Sequence, residues 1–83
     1  MARYKIVIGA RAESELLSVP FPHRRLIHQR IMRLRDDPRP DGWEQVGTAG
    51  GAALVVHGYE LLYSIEDEAL SVELVSLLRV TPT

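Results

Sequence analysis

GYELLYSIEDEALSVELVSLLRV, residues 58–80, is the stretch whose reading decides the fold. Tyr59, Leu61, Tyr63 and Ile65 alternate with Glu60, Leu62 and Ser64, the period-two signature of a half-buried strand. After the polar interruption Glu66, Asp67, Glu68 the alternation resumes, with Leu70, Val72 and Leu74 on one side and Ser71, Glu73 and Val75 on the other. A turn centred between Asp67 and Glu68 sets Ile65 opposite Leu70, Tyr63 opposite Val72 and Leu61 opposite Leu74. A one-residue slip would move all of these side chains into water. Burying each large apolar side chain contributes roughly 1.5 to 3 kcal/mol, so this hairpin is the expected floor of the core.

Working outward, the chain begins with another strand, in which Tyr4, Ile6 and Ile8 alternate with Lys5 and Val7 until Gly9. Helical spacing takes over from Ala10 to Val19, with Ala12, Leu16 and Val19 on one face and Arg11, Glu13 and Glu15 turned to solvent. Pro20 stops this helix, because a proline disfavours helical geometry in the residue before it. A second helix opens at Phe21, Pro22 and His23 and runs to Arg35, with Ile27, Ile31 and Leu34 as its apolar stripe. Its arginines, Arg24, Arg25, Arg30, Arg33 and Arg35, spread around the circumference rather than forming one phosphate-binding ridge. Residues 37–51 read as an irregular connection rich in proline and glycine, with Trp43 capping the edge of the core. Ala52 to Val56 is a short third strand, and His57-Gly58 turns it into the hairpin. The order strand, helix, helix, strand, strand, strand gives an α+β fold: two helices on one face of a four-stranded, mostly antiparallel sheet.

The chain of 83 residues is expected to form one domain, 1–83, with one core. It has no cysteine, so disulfides and thiolate metal sites are excluded. No apolar run approaches the ~18 residues of a bilayer span, and the N-terminus lacks the apolar core of a signal peptide; no membrane partner and a cytoplasmic location are the expectation. Charge is unevenly placed. Residues 1–35 hold eight basic side chains against Glu13 and Glu15, and residues 36–83 hold nine acidic ones against Arg39 and Arg79. In a small domain two such halves are expected to neutralise each other.

No catalytic motif stands out. The proposed register makes Glu60 and Glu73 diagonal neighbours on the outer face, and paired carboxylates can work as acid and base or hold a divalent metal; the structural reading is an ordinary exposed strand face. His23 and His28 point apart on their helix, and no metal or cofactor site is expected. His57 is the best single general-base candidate but has no visible partner and reads as a turn residue. Leu62, Val75 and Leu77 on the outer face, with Leu78 beyond, form an apolar patch that marks an interface with a partner protein or a second copy.

The chain resembles the RelE/ParE superfamily, the toxin halves of bacterial toxin–antitoxin pairs of the plasmid-stabilising type. The resemblance rests on YKIVIGARAESELLSVP, on LRDDPRPDGW closing the basic helix, and on GYELLY in the hairpin, in that order over nearly the whole chain. It implies a RelE/ParE-like α+β fold and an antitoxin protein as partner. In the RelE branch it also implies ribosome-dependent mRNA cleavage, and in the ParE branch inhibition of DNA gyrase by binding. The basic residues that the RelE branch uses on RNA fall here on Ala53, Val55 and Glu60, and near the chain's end on Val80 or its neighbour Arg79. The chain stops at Thr83, where most relatives continue with a basic residue and a tyrosine. Arg79 and His57 are left as the candidates for catalysis, and a toxin acting by binding is the expectation. A ribonuclease with unfamiliar residues and a self-associating module without toxicity are the alternatives.

Overall fold

The protein is described from a computed structural model, which covers residues 3–47 and 49–80. Its elements run β1 (Lys5–Ile8), α1 (Ala10–Leu17), α2 (Phe21–Arg33), β2 (Glu44–Gln45), β3 (Gly51–Val56), β4 (Tyr59–Glu66) and β5 (Ser71–Arg79). The strands form one mixed sheet in the order β1-β5-β4-β3-β2. The expected α+β class with two helices on a sheet holds, but the sheet has five strands rather than four.

Two features of the sheet escape the alternation pattern. β2, with only Glu44 and Gln45, lies inside the stretch expected to be irregular and exists by pairing with Ala53 and Ala52 of β3. β1 pairs in parallel with β5, Ile6 beside Val72 and Ile8 beside Leu74. Both helices end two residues before the expected points, at Leu17 and Arg33, although Val19 and Leu34 still bury their side chains in the core just past those ends. Pro22 sits in the first turn of α2, where its missing N–H has no helical partner to lose.

The β4–β5 hairpin does form the core floor, with a different register. Ile65 faces Val72 and Tyr63 faces Leu74, two residues along from the expected pairs. A shift of two keeps every side chain on its own face, so Leu61, Tyr63, Ile65, Val72 and Leu74 are all buried as expected. The shift arises because Asp67 to Leu70 form a four-residue turn. Leu70 closes it in the left-handed region at φ 50° instead of joining the strand.

Past Leu74 the register slips once more. Tyr63 pairs with Leu74 but Leu62 pairs with Ser76, leaving Val75 as the surplus residue of a bulge. The bulge reverses the parity of the rest of β5, so that Leu77 faces Leu61 and is 4% exposed. Leu77 is therefore a core residue, and the expectation that it belongs to an outer interface is wrong.

One cluster holds the core: Ala12, Leu16 and Val19, then Ile27, Ile31 and Leu34, pack on Leu54, Val56, Leu61, Tyr63, Ile65, Val72, Leu74 and Leu77. All helix contributions meet one parity of the strands, so the opposite face of the sheet is free of helices. Trp43 packs partly buried against the rim of this core, as expected of a cap. The backbone at Gly50 has φ +87°, and a Cβ there would run into the carbonyl oxygen of Ile65, so only glycine fits where β3 begins beside β4.

Glu15 is the largest local departure from the expected pattern. Because β1 ends at Ile8, it covers β5 only as far as Leu74. Beyond that point the edge of β5 is met by α1, and one oxygen of Glu15 accepts hydrogen bonds from the Leu77 N–H at 3.1 Å and from the Ser76 hydroxyl at 3.1 Å. The carboxylate thus replaces a missing strand rather than facing solvent. Glu15→Ala is expected to lower the unfolding free energy by about 2 kcal/mol, the scale of hydrogen bonds to a charged group, and Glu15→Gln by less. Urea denaturation measures both losses, and amide exchange at Leu77 should accelerate in the alanine variant.

Candidate functional site

Three surfaces concentrate the polar and apolar groups that the core leaves unused. The first is the helix-free face of the sheet. Val55 pairs with Glu60 and Ala53 with Leu62, while Glu60 pairs on its other side with Leu78 and Leu62 with Ser76. Ala53, Val55 and Glu60, the positions on which the resemblance leads one to expect the basic residues of the RelE branch, are therefore brought together on neighbouring strands. Their chemistry is an anion set among aliphatic side chains. Around them the same face carries Glu44, Glu66 and Glu73, and Lys5 is its one cation among the described residues. Val55 is 58% and Val75 48% exposed, and Leu78 is also exposed.

Arg79 does not join this group. It pairs with Tyr59 and shares the parity of Leu77, on the helix side of the sheet, whereas Leu78 takes the place beside Glu60. Val80, whose N–H donates to the Gly58 carbonyl at 2.8 Å, follows just past the strand and is exposed. His57 occupies the exposed two-residue turn between β3 and β4, with φ 50° followed by φ +82° at Gly58; two successive positive angles mark a tight hairpin turn. The two candidates for catalysis thus lie outside the face that holds Ala53, Val55 and Glu60. Nor are Glu60 and Glu73 diagonal neighbours: Glu73 pairs with Ser64, four positions along β4 from Glu60, roughly 13 Å at the rise of a strand. Among the described residues no three His, Cys, Asp or Glu side chains gather as metal ligands.

The second surface is a clasp at the turn end of the sheet. Arg39 grips Asp67 through two nitrogens at 3.1 and 2.9 Å, the Tyr4 hydroxyl donates to the same carboxylate at 2.7 Å, and Trp43 lies 5.7 Å from the guanidinium. The forked guanidinium, then the tyrosine hydroxyl, hold the Asp67 carboxyl below its usual range. The same bond raises the Tyr4 hydroxyl above its own. Next to the clasp the Tyr63 hydroxyl donates to the Pro38 carbonyl at 2.8 Å, and burial, aided by Asp37, pushes it up to about 12. These contacts fasten the 37–51 connection to the hairpin.

Tyr63 makes stability fall at high pH. Its folded value lies above the ordinary 10.0, so the unfolded chain loses the proton first, and the contribution present below about pH 10 disappears as pH rises through about 12. Tyr4 acts in the same direction. Thermal unfolding from pH 9 upward should show a steep alkaline decline that is shallower in Tyr63→Phe.

The third surface is a groove of about 880 Å³ on the helix layer. Leu17 and Phe21 stand open on it, 62% and 66% exposed, beside Arg24, Arg25 and His28, with Glu13 as its one carboxylate. Arg24 lies 5.8 Å over the Phe21 ring, and its Nε is buried without a hydrogen-bond partner. Sequence periodicity pointed to the arginines of this helix only as solvated surface.

Among the described residues the two charged halves meet through one ion pair. Of the ion pairs among the described residues, Arg11–Glu15 and Arg39–Asp67 lie within one half, and only Arg3–Asp36 joins the two. The arginines of α2 and the glutamates of the helix-free face stay apart.

No protein-family model and no curated relative matches the chain. Solved structures do. The archaeal RelE–RelB complex from Pyrococcus horikoshii matches with a TM-score of 0.86 at 18% identity, covering 98% of this chain and 99% of that chain. The isolated E. coli RelE toxin gives 0.83 at 20% identity, over 96% of this chain and 87% of that chain. The RelBE2 toxin–antitoxin complex from Mycobacterium tuberculosis gives 0.82 at 20% identity, over 94% and 99%. With 94 to 98% of the chain covered at TM-scores of 0.82 to 0.86, the chain has the fold of the RelE toxins.

Proposed function

We propose that the chain is a divergent member of the RelE/ParE superfamily, the toxin-type half of a cytoplasmic toxin–antitoxin pair, and that it acts by binding rather than by cutting RNA. Support for the toxin role comes from the likeness to RelE structures, two of them complexes with an antitoxin. The observation that carries the second half is the chemistry of the helix-free face. Ribosome-dependent cleavage needs cations there to hold the RNA backbone and stabilise charge on the phosphate. Here the corresponding positions are Ala53, Val55 and Glu60, the same face carries three further glutamates, and Arg79 is turned to the other side. A unit charge at 4 Å and an effective dielectric of 20 is worth roughly 4 kcal/mol, so exchanging a guanidinium for Glu60 turns attraction into repulsion of that order.

Expression of the chain without its antitoxin, followed by growth and by mapping of mRNA ends, tests this reading. Growth arrest with intact mRNA is expected, and broken chromosomal DNA would point to gyrase as the target. Ribosome-dependent cuts within mRNA would overturn it. Leu62 and Val75 serve as the apolar centre of the antitoxin contact, and alanine at both is expected to weaken antitoxin binding at least about tenfold, the loss of roughly 1.4 kcal/mol.

A further inference from the structure

Two surfaces of the molecule are unfinished in complementary ways. The groove on the helix layer joins the apolar side chains Leu17 and Phe21 to Arg24, Arg25 and His28. The helix-free face on the opposite layer joins Val55, Leu62, Val75 and Leu78 to the carboxylates of Glu60 and Glu73. Neither set of charges has an ion-pair partner among the described residues. Each patch is an apolar centre with one predominant sign of charge, cationic in the groove, where Glu13 is the one carboxylate, and anionic on the face, where Lys5 is the one cation among the described residues.

From this we infer that copies of the chain associate head to tail, the groove of one copy seated on the helix-free sheet face of the next. Several observations converge on a second copy as the occupant. The charges match: a cationic apolar groove meets an anionic apolar face, and such complementarity fixes orientation and speeds encounter. The chain's net charge is only −1, so copies do not repel one another as wholes. A standard interface covers roughly 800 Å² per partner, and a molecule with 5649 Å² of accessible surface has room for one on each layer.

Because donor and acceptor patches differ, the contact is heterologous, and it propagates into rings or chains unless one end is capped. A partner that covers the sheet face would cap it. The association therefore goes beyond the toxin reading and stands whether or not the chain arrests growth.

Sedimentation velocity on the purified chain tests it, over a range of concentrations at low ionic strength and again at ~0.5 M salt, where screening shortens the reach of surface charge to a few ångströms. The mean mass is expected to rise with concentration at low salt and to fall in high salt. Glu60→Lys/Glu73→Lys blocks the face and Arg24→Glu/Arg25→Glu blocks the groove, so each double variant alone should stay monomeric. Mixed together they should associate again, because each retains the surface the other has lost and the two reversed surfaces also match in sign. That association also shows that both variants are folded. A wild-type chain that is monomeric throughout would overturn the inference, as would a Glu60→Lys/Glu73→Lys variant that associates like wild type or a mixture that yields no complex.

Discussion

Leu61→Ala is expected to lower the unfolding free energy by about 3 to 5 kcal/mol, the range for deleting a fully buried leucine where the surroundings relax poorly. Leu61 is 0% exposed on β4, the middle strand of the sheet, between Leu54 on β3 and Leu77 on β5. Both flanking strands are fixed by backbone pairing, so neither can move in to fill the space. A domain of this size holds roughly 4 to 12 kcal/mol in total, which makes the loss a large share of what keeps the chain folded. Urea denaturation should show the midpoint falling while the slope stays constant, the mark of a stability change without a change in exposed surface. A loss below about 1 kcal/mol would mean that the β4–β5 hairpin is not the centre of the core.

The second large effect concerns the helix-free face. Val55→Lys combined with Glu60→Arg replaces an aliphatic side chain and an anion by two adjacent cations, on strands paired at those two residues. Affinity for a short single-stranded RNA is expected to rise at least about tenfold at low salt. The dependence of log affinity on log salt should steepen by about 1.4, from two added phosphate contacts at ~0.7 each. Fluorescence anisotropy across a salt series measures both quantities. If the double variant binds RNA no better than wild type, this face is not the counterpart of the RNA-contacting surface to which the resemblance points.

Alternation made the two faces of β4 legible, with Glu60 on the outer one, while the common side of Ala53, Val55 and Glu60 follows only from the pairing of β3 with β4. It left the pairing ambiguous, because a shift of two residues preserves every face. The true register depends on the turn, where Leu70 adopts a left-handed conformation that leucine does not announce; glycine or asparagine would have shown it. The bulge was hidden for a different reason. Val75, Leu77 and Leu78 are all aliphatic, so nothing in their side chains marks where the inward parity changes, and Leu77 was assigned to the wrong face. β2 holds two polar residues whose conformation is set by β3 alone. In the candidate site, the anion at Glu60 was legible, while the turning away of Arg79 followed from the bulge and could not be seen. The lone status of the α2 arginines was likewise a long-range property, since it depends on which carboxylates the fold brings within reach.

The edge of β5 past Leu74 has a further consequence. An uncovered strand edge is a template on which another chain can add its own strand, the first step toward fibrous aggregates. The opposite border is short, with the two residues of β2, and carries Glu44, a charge that discourages such growth. On the β5 side Glu15 does the equivalent by occupying the Leu77 N–H, so the carboxylate is a guard against misassembly as much as a source of stability. A chain that loses it should form thioflavin-binding deposits during prolonged incubation sooner than its modest destabilisation alone would produce.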